Sequence, residues 1–207
     1  MDNLAEESCG VFTEKLASTA PTPGGGGAAA LAGALGVSLC TMAAGLTRGR
    51  KLYAERVPAL DAVIVRAEAL RQRLLALIDE DAAAFAPLQR AYSLDKAAPD
   101  RAAILREASL TACTAPAEML RCCAEAAGLL EEMLELSSPL LLSDVGCGAA
   151  LCRGAMEAAA LNVFVNTKTL KGDGEAEALN ELCRNTLERD IPRLERVLAR
   201  VREKLEG

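Results

Sequence analysis

The chain has no histidine and no tryptophan, and its aromatic residues are two tyrosines and three phenylalanines. Without histidine, any general acid or base working near neutral pH must be a perturbed Asp, Glu, Lys or Cys. A zinc site would have to be all-thiolate. Yet Cys9, Cys40, Cys113, Cys122, Cys123, Cys147, Cys152 and Cys183 include no CxxC pair, so the usual ligand spacing is missing and no metal is expected. The shortage of aromatics also argues against sheet, which draws on aromatic and β-branched residues. No basic surface is legible either: the net charge is −6, spread over Glu/Arg-rich segments, which disfavours nucleic acid as a partner. No secretory leader is visible, since Met1 opens a charged amphipathic stretch with Glu6 and Glu7. The expectation is a cytoplasmic protein whose thiols stay reduced, several serving as small core residues.

What is present is helix-forming sequence, rich in Ala, Leu and Glu. Residues 2–18 carry an apolar stripe, Leu4, Val11, Phe12 and Leu16, with Asp2 as the expected cap. Ala20-Pro21-Thr22-Pro23 ends this helix, because proline lacks a donor and pushes its predecessor out of the helical region. A run over about 52–92 places Leu60, Ile64, Ala67, Leu70, Leu74, Leu77 and Ile78 on one face, with kinks expected near Pro58 and Pro87. A third helix is expected over about 100–135 with a kink at Pro116, ended by Ser137-Ser138-Pro139. A fourth starts at Ser143-Asp144, with Ser143 as its cap, and a last one covers about 175–204. The predicted fold is all-α: an up-and-down bundle of long helices forming a single domain over residues 1–207.

Between Gly24 and Leu46 there is no charge at all. Three readings fit. The segment is long enough to span a bilayer, but Gly, Ala, Ser, Thr and Cys gain little from lipid and the other helices are amphipathic. A nucleotide loop needs a preceding strand or a following Gly-Lys-Ser/Thr, and neither is there. The third reading is a buried helix whose small residues, Ala29, Gly33 and Val37 beside Ala30, Ala34 and Ser38, allow close approach. Its glycine-rich start leaves N–H groups open to an anion; taken alone, packing is the stronger explanation of the two.

The segment Pro23-Gly24-Gly25-Gly26-Gly27-Ala28-Ala29-Ala30-Leu31-Ala32-Gly33-Ala34-Leu35-Gly36 resembles the PGGGS-AA-LAGALG signature of the cyclodeaminase domain of formiminotransferase-cyclodeaminases, shared with bacterial methenyltetrahydrofolate cyclohydrolases. Leu46-Thr47-Arg48-Gly49-Arg50-Lys51-Leu52-Tyr53 is similar to the LT-G-KKY segment of that family. Asp79-Glu80-Asp81-Ala82-Ala83-Ala84-Phe85, Ala115-Pro116, Ser143-Asp144-Val145-Gly146 and Leu161-Asn162-Val163-Phe164-Val165-Asn166 match its later motifs in order. Departures exist: the serine after the glycines is Gly27 or Ala28 here, the Gly-Asn common ahead of SDVG is missing with Ser137-Ser138 nearby, and Asn166-Thr167 replaces a common Asn-Leu.

The resemblance implies a folate one-carbon enzyme in a homodimer, its pocket near the subunit interface. It would close 5-formiminotetrahydrofolate to 5,10-methenyltetrahydrofolate with loss of ammonia, or hydrate the methenyl bridge to 10-formyltetrahydrofolate. The family's defining activity favours the first, while a lone domain suits the second equally. Both reactions pass through a tetrahedral carbon between two nitrogens and call for no metal or redox cofactor. Asp81 is the first candidate for the proton-moving carboxylate, against a bland reading of Asp79-Glu80-Asp81 as a solvated helix turn. Asp144 is the second acidic candidate, against a plain first-turn carboxylate. Gly24, Gly25, Gly26 and Gly27 would form one wall of the folate pocket. Arg48, Arg50 and Lys51 would hold the glutamate or polyglutamate tail, or simply close a helix. Asn162 and Asn166, four apart, would meet the pterin edge or cap neighbouring backbone. The competing reading is a catalytically silent helical protein that binds folate or a protein partner; a membrane-anchored protein is a more distant one.

Overall fold

The computed structural model describes residues 3–207, so the expected cap Asp2 lies outside the described residues. Among these residues every regular element is helical: α1 (Cys9–Leu16), α2 (Gly25–Arg48), α3 (Val57–Tyr92), α4 (Arg101–Ala112), α5 (Thr114–Leu136), α6 (Leu142–Thr167) and α7 (Gly174–Glu206). Short 3-10 turns at Leu4–Glu6, Lys51–Arg56 and Pro139–Leu141 link them. The all-α bundle expected from composition and spacing is the fold.

Several boundaries differ for local reasons. The first helix is broken after Glu6, and α1 is capped by Ser8, whose hydroxyl accepts the Val11 N–H. Pro58 falls in the first turn of α3, where its missing N–H is harmless, and Pro87 lies inside a continuous helix. The kink expected at Pro116 is a full break at Cys113 between α4 and α5. Ser143 does not cap α6: the helix begins one residue earlier, with Leu141 at the cap position and no side-chain cap. Asp173 caps α7 by accepting the N–H groups of Glu175 and Ala176.

The bundle is built around α2. It runs antiparallel to α3, with Gly33 against Leu74, and antiparallel to α6, with Gly36 against Cys152 and Gly148. A Cβ on Gly36 would lie 2.6 Å from the Cys152 sulfur and 2.8 Å from the Gly148 carbonyl oxygen, so glycine is what lets α2 and α6 come this close. α5 lies beneath them, its Leu120, Cys123, Leu130 and Met133 fully buried. α7 covers α5 and α6 through Leu194, Val197 and Val201. At fully buried apolar positions each side chain contributes about 1.5–3 kcal/mol.

The burial of α2 is not all-round. Ala30, Ala34, Val37, Ala43 and Ala44 are buried, while Leu35, Met42 and Leu46 face outward. Both α2 and the Pro139–Thr167 stretch are long and apolar enough to cross a membrane, and about half of each apolar window is buried against the rest of the bundle.

Candidate active site

Three consecutive acids on α3 have three different surroundings. Asp79 accepts the Leu4 N–H at 2.8 Å, and Glu80 pairs on the surface with Arg73. Asp81 turns inward, half-buried, against the start of α2. Its carboxylate fills the space over Gly26: a Cβ there would collide with all three carboxyl atoms. The Gly27 N–H donates to it. Gly24 provides no side-chain cap to α2, so Asp81 acts as the cap from a neighbouring helix, at the end where the dipole favours an anion.

That stabilisation is outweighed. Removal from water raises the Asp81 pKa from the ordinary 3.8 to about 6, with the Gly27 hydrogen bond pulling the other way. Among the described residues, no cation contributes to its environment. A carboxyl group of this kind exchanges its proton near neutrality, the property required where histidine is missing.

Asn162 flanks the other side of the same turn. A Cβ on Gly25 would lie 3.3 Å from both amide heavy atoms of Asn162. The Asn162 amide nitrogen donates back to the Ala158 carbonyl at 2.8 Å. Asn166, one turn on, donates to the Ala112 carbonyl at 3.1 Å. This is the acceptor an N–H at position 116 would serve in a continuous helix; Pro116 has none. Nothing in the spacing of the sequence signalled that contact.

The remaining candidates lie elsewhere within this chain. Arg48, Arg50 and Lys51 stand at the far end of α2, a 24-residue helix and therefore roughly 36 Å from its glycines. Arg48 pairs with Asp61, and Arg50 reaches the Ser138 hydroxyl at 3.3 Å. Asp144, in the first turn of α6, is at this same end, some eighteen residues and roughly 27 Å along α6 from Asn162. The Thr47 hydroxyl ties the end of α2 to the connection between α5 and α6 by accepting the Ser138 N–H at 3.0 Å. So one chain gathers Gly24–Gly27, Asp81 and Asn162 at one end, and Arg48, Arg50, Lys51 and Asp144 at the other. A cavity of about 370 Å³ lined by Leu4, Lys15, Thr22, Asp79, Ala82 and Ala86 opens on the side of α3 turned away from Asp81.

Residues 8–185 match the family model described as Formiminotransferase-cyclodeaminase. The chain belongs to this family. Over 175 residues it is 39% identical to the methenyltetrahydrofolate cyclohydrolase of Methylorubrum extorquens, covering 83% of this chain and 84% of that one. It is 28% identical to the mouse formimidoyltransferase-cyclodeaminase across 83% of its own length, but spans only 32% of that protein. The crystal structure of formiminotetrahydrofolate cyclodeaminase from Thermotoga maritima superposes with a TM-score of 0.82 at 28% identity, covering 98% of this chain and 97% of that one. Membership in the formiminotransferase-cyclodeaminase family gives the missing serine a concrete setting. A Cβ on Gly27 would meet Pro23 at 3.3 Å and Ile78 and Phe12 at 3.8 Å. A side chain at position 27 would thus start into an apolar niche and away from the Asp81 carboxylate.

Proposed function

We propose that this protein is a folate one-carbon enzyme, a 5,10-methenyltetrahydrofolate cyclohydrolase, with Asp81 as its proton-transfer group. The observation that carries the reading is a half-buried carboxylate with a pKa near 6 and no cation beside it among the described residues, at the edge of a glycine-lined helix start. Such a group suits a ligand that brings its own positive charge. The methenyl bridge is an amidinium cation, and a carboxylate out of bulk water stabilises it more strongly than one in water does.

In the hydration, Asp81 takes a proton from water as the water oxygen bonds to the bridge carbon. The C=N π electrons go to the ring nitrogen, giving a tetrahedral carbinolamine. Asp81 then returns the proton to N5 as the C–N5 bond breaks. The hydroxyl proton leaves to solvent as the formyl group forms on N10. The match to a cyclohydrolase over most of both chains favours this reaction. The cyclodeaminase reaction is the second reading, favoured by the full-length structural match to a formiminotetrahydrofolate cyclodeaminase; there the same carboxyl group would protonate the departing ammonia.

The test is spectroscopic, following the methenyl chromophore. Loss of the chromophore from 5,10-methenyltetrahydrofolate identifies the cyclohydrolase; its appearance from 5-formiminotetrahydrofolate identifies the cyclodeaminase. Binding of both without turnover of either would establish the silent folate binder instead.

A further inference from the structure

We propose that the groove between α5 and α7, bordered by α3, is a binding site for a phosphate-bearing small molecule, with the Thr186 hydroxyl and the guanidiniums of Arg66, Arg121 and Arg189 as its donors. The groove is remote from Asp81, since Arg66 precedes that residue by about fifteen positions, or roughly 22 Å along α3. The inference therefore stands or falls without the folate reading.

Two helix faces build the groove. On α5, Arg121, Glu125 and Gly128 share one face, and on α7 Thr186, Arg189 and Arg193 do the same. With Arg66 from α3 they line about 520 Å³. Gly128 supplies room, since a Cβ there would lie 3.2 Å from Nη2 of Arg193. The buried Asp190 carboxylate orients the α7 arginines: Arg189 donates to it through Nε at 3.0 Å and Nη2 at 2.7 Å, and Arg193 through Nη1 at 2.8 Å. Thr186 is the residue that points to a ligand. The other two buried threonines return their hydroxyls to their own helices, Thr47 to the Ala43 carbonyl at 2.8 Å and Thr167 to the Val163 carbonyl at 3.1 Å. Thr186 is 3% exposed, and its hydroxyl has no hydrogen-bond partner among the described residues. The little surface it keeps lies on the groove. A donor left open among guanidiniums is satisfied by the oxygen of a bound anion.

The guanidiniums have donors to spare. Arg66 uses only Nη1, on Glu132, and Arg121 only Nη1, on Glu118. Nε and Nη2 of both, with Nη1 of Arg189, have no hydrogen-bond acceptor among the described residues. Glu125 is the single carboxylate among the described residues that line the groove. Around it Glu118, Glu131, Glu132 and Asp190 already meet these arginines, each with one negative charge. A ligand with one carboxylate would gain nothing over the groups in place. A phosphate monoester would, because it carries close to two charges near neutral pH and presents three strong acceptor oxygens. Guanidinium forks approaching from three helices, with a hydroxyl on the groove wall, suit those oxygens better than the two of a planar carboxylate.

The test is isothermal titration of the full chain at about 0.15 M salt, with inorganic phosphate, ribose 5-phosphate and glutarate as probes and no folate present. Saturable binding of one or both phosphates below about 10 mM is expected, with glutarate at least tenfold weaker. Tighter binding of the ester than of inorganic phosphate assigns the site to a phosphomonoester, and the reverse order assigns it to the free ion. Thr186→Val keeps the side-chain shape and should weaken phosphate about tenfold, the loss of one hydrogen bond to a charged group. R66Q/R121Q changes two surface side chains only, so it carries the test even if Thr186→Val disturbs packing; it too should weaken phosphate at least tenfold. R50A/K51A, at the end of α2, should bind phosphate as wild type does. Three results would overturn the site: no saturable binding of either phosphate, glutarate binding as tightly as they do, or affinity within twofold of wild type in R66Q/R121Q.

Discussion

The Asp81 carboxylate occupies the volume that a side chain on Gly26 would need, and it does so while holding the Gly27 N–H. The glycine is therefore a requirement of the acid, beyond any backbone freedom it confers. Gly26→Ala should expel the carboxylate from the helix start, with steric cost concentrated on Asp81 and not on the core. The expected result is a fall in kcat of two orders of magnitude or more, with helical content preserved by circular dichroism. Activity within threefold of wild type would remove Asp81 from the proton-transfer role at this position.

A base with a pKa near 6 gives a defined pH profile. Asp81 must be ionised to accept the proton from water, so kcat/KM should fall about tenfold per pH unit below 6 and level off above 7. D81N should lose both the rate and the acid limb. A limb centred near 4 would point to an ordinary solvated carboxylate.

The same burial should cost stability, and its sign follows from the direction of the shift. Asp81 has a higher pKa folded, about 6, than its ordinary 3.8, so the folded state binds the proton more tightly. Its favourable contribution is present below about 3.8 and is lost as pH rises through 6. The full difference corresponds to about 3 kcal/mol at most, and partial solvent access reduces it to about 1–2 kcal/mol. D81N should therefore melt close to wild type near pH 4 and several degrees higher at pH 8. Equal melting temperatures at both pH values would show that ionised Asp81 carries no such penalty.

The helices of this bundle are legible in the spacing of leucines and alanines, because burial on one face writes a 3.6-residue period into the chain. Ends are harder. Ser8 and Asp173 cap through contacts two or three residues away, yet Ser143, with the same chemistry, caps nothing because the chain is already helical at Leu142. The site is legible only where it is local. Asp81 is singled out by the motif Asp79-Glu80-Asp81-Ala82-Ala83-Ala84-Phe85, but its inward turn depends on two glycines more than fifty residues away. Whether Arg50 and Lys51 share a site with it depends on tertiary and quaternary geometry, on which the order of motifs along the chain is silent.

The amide of Asn166 and the ring of Pro116 make a pair whose coupling can be measured. Pro116 has no N–H for Ala112, and Asn166 supplies the missing donor from α6. Ala112 is buried, so its carbonyl has little access to water as a substitute. Asn166→Ala should cost about 1–2 kcal/mol, the penalty for an unsatisfied buried acceptor. In a Pro116→Ala background the main chain can donate to Ala112 itself, and removing Asn166 should then cost a few tenths of a kcal/mol. The double-mutant cycle, read by urea unfolding, should show a coupling of about 1 kcal/mol. Strict additivity would mean that the Asn166 amide does not serve as the replacement donor, and would return that side chain to the candidates for binding the ligand.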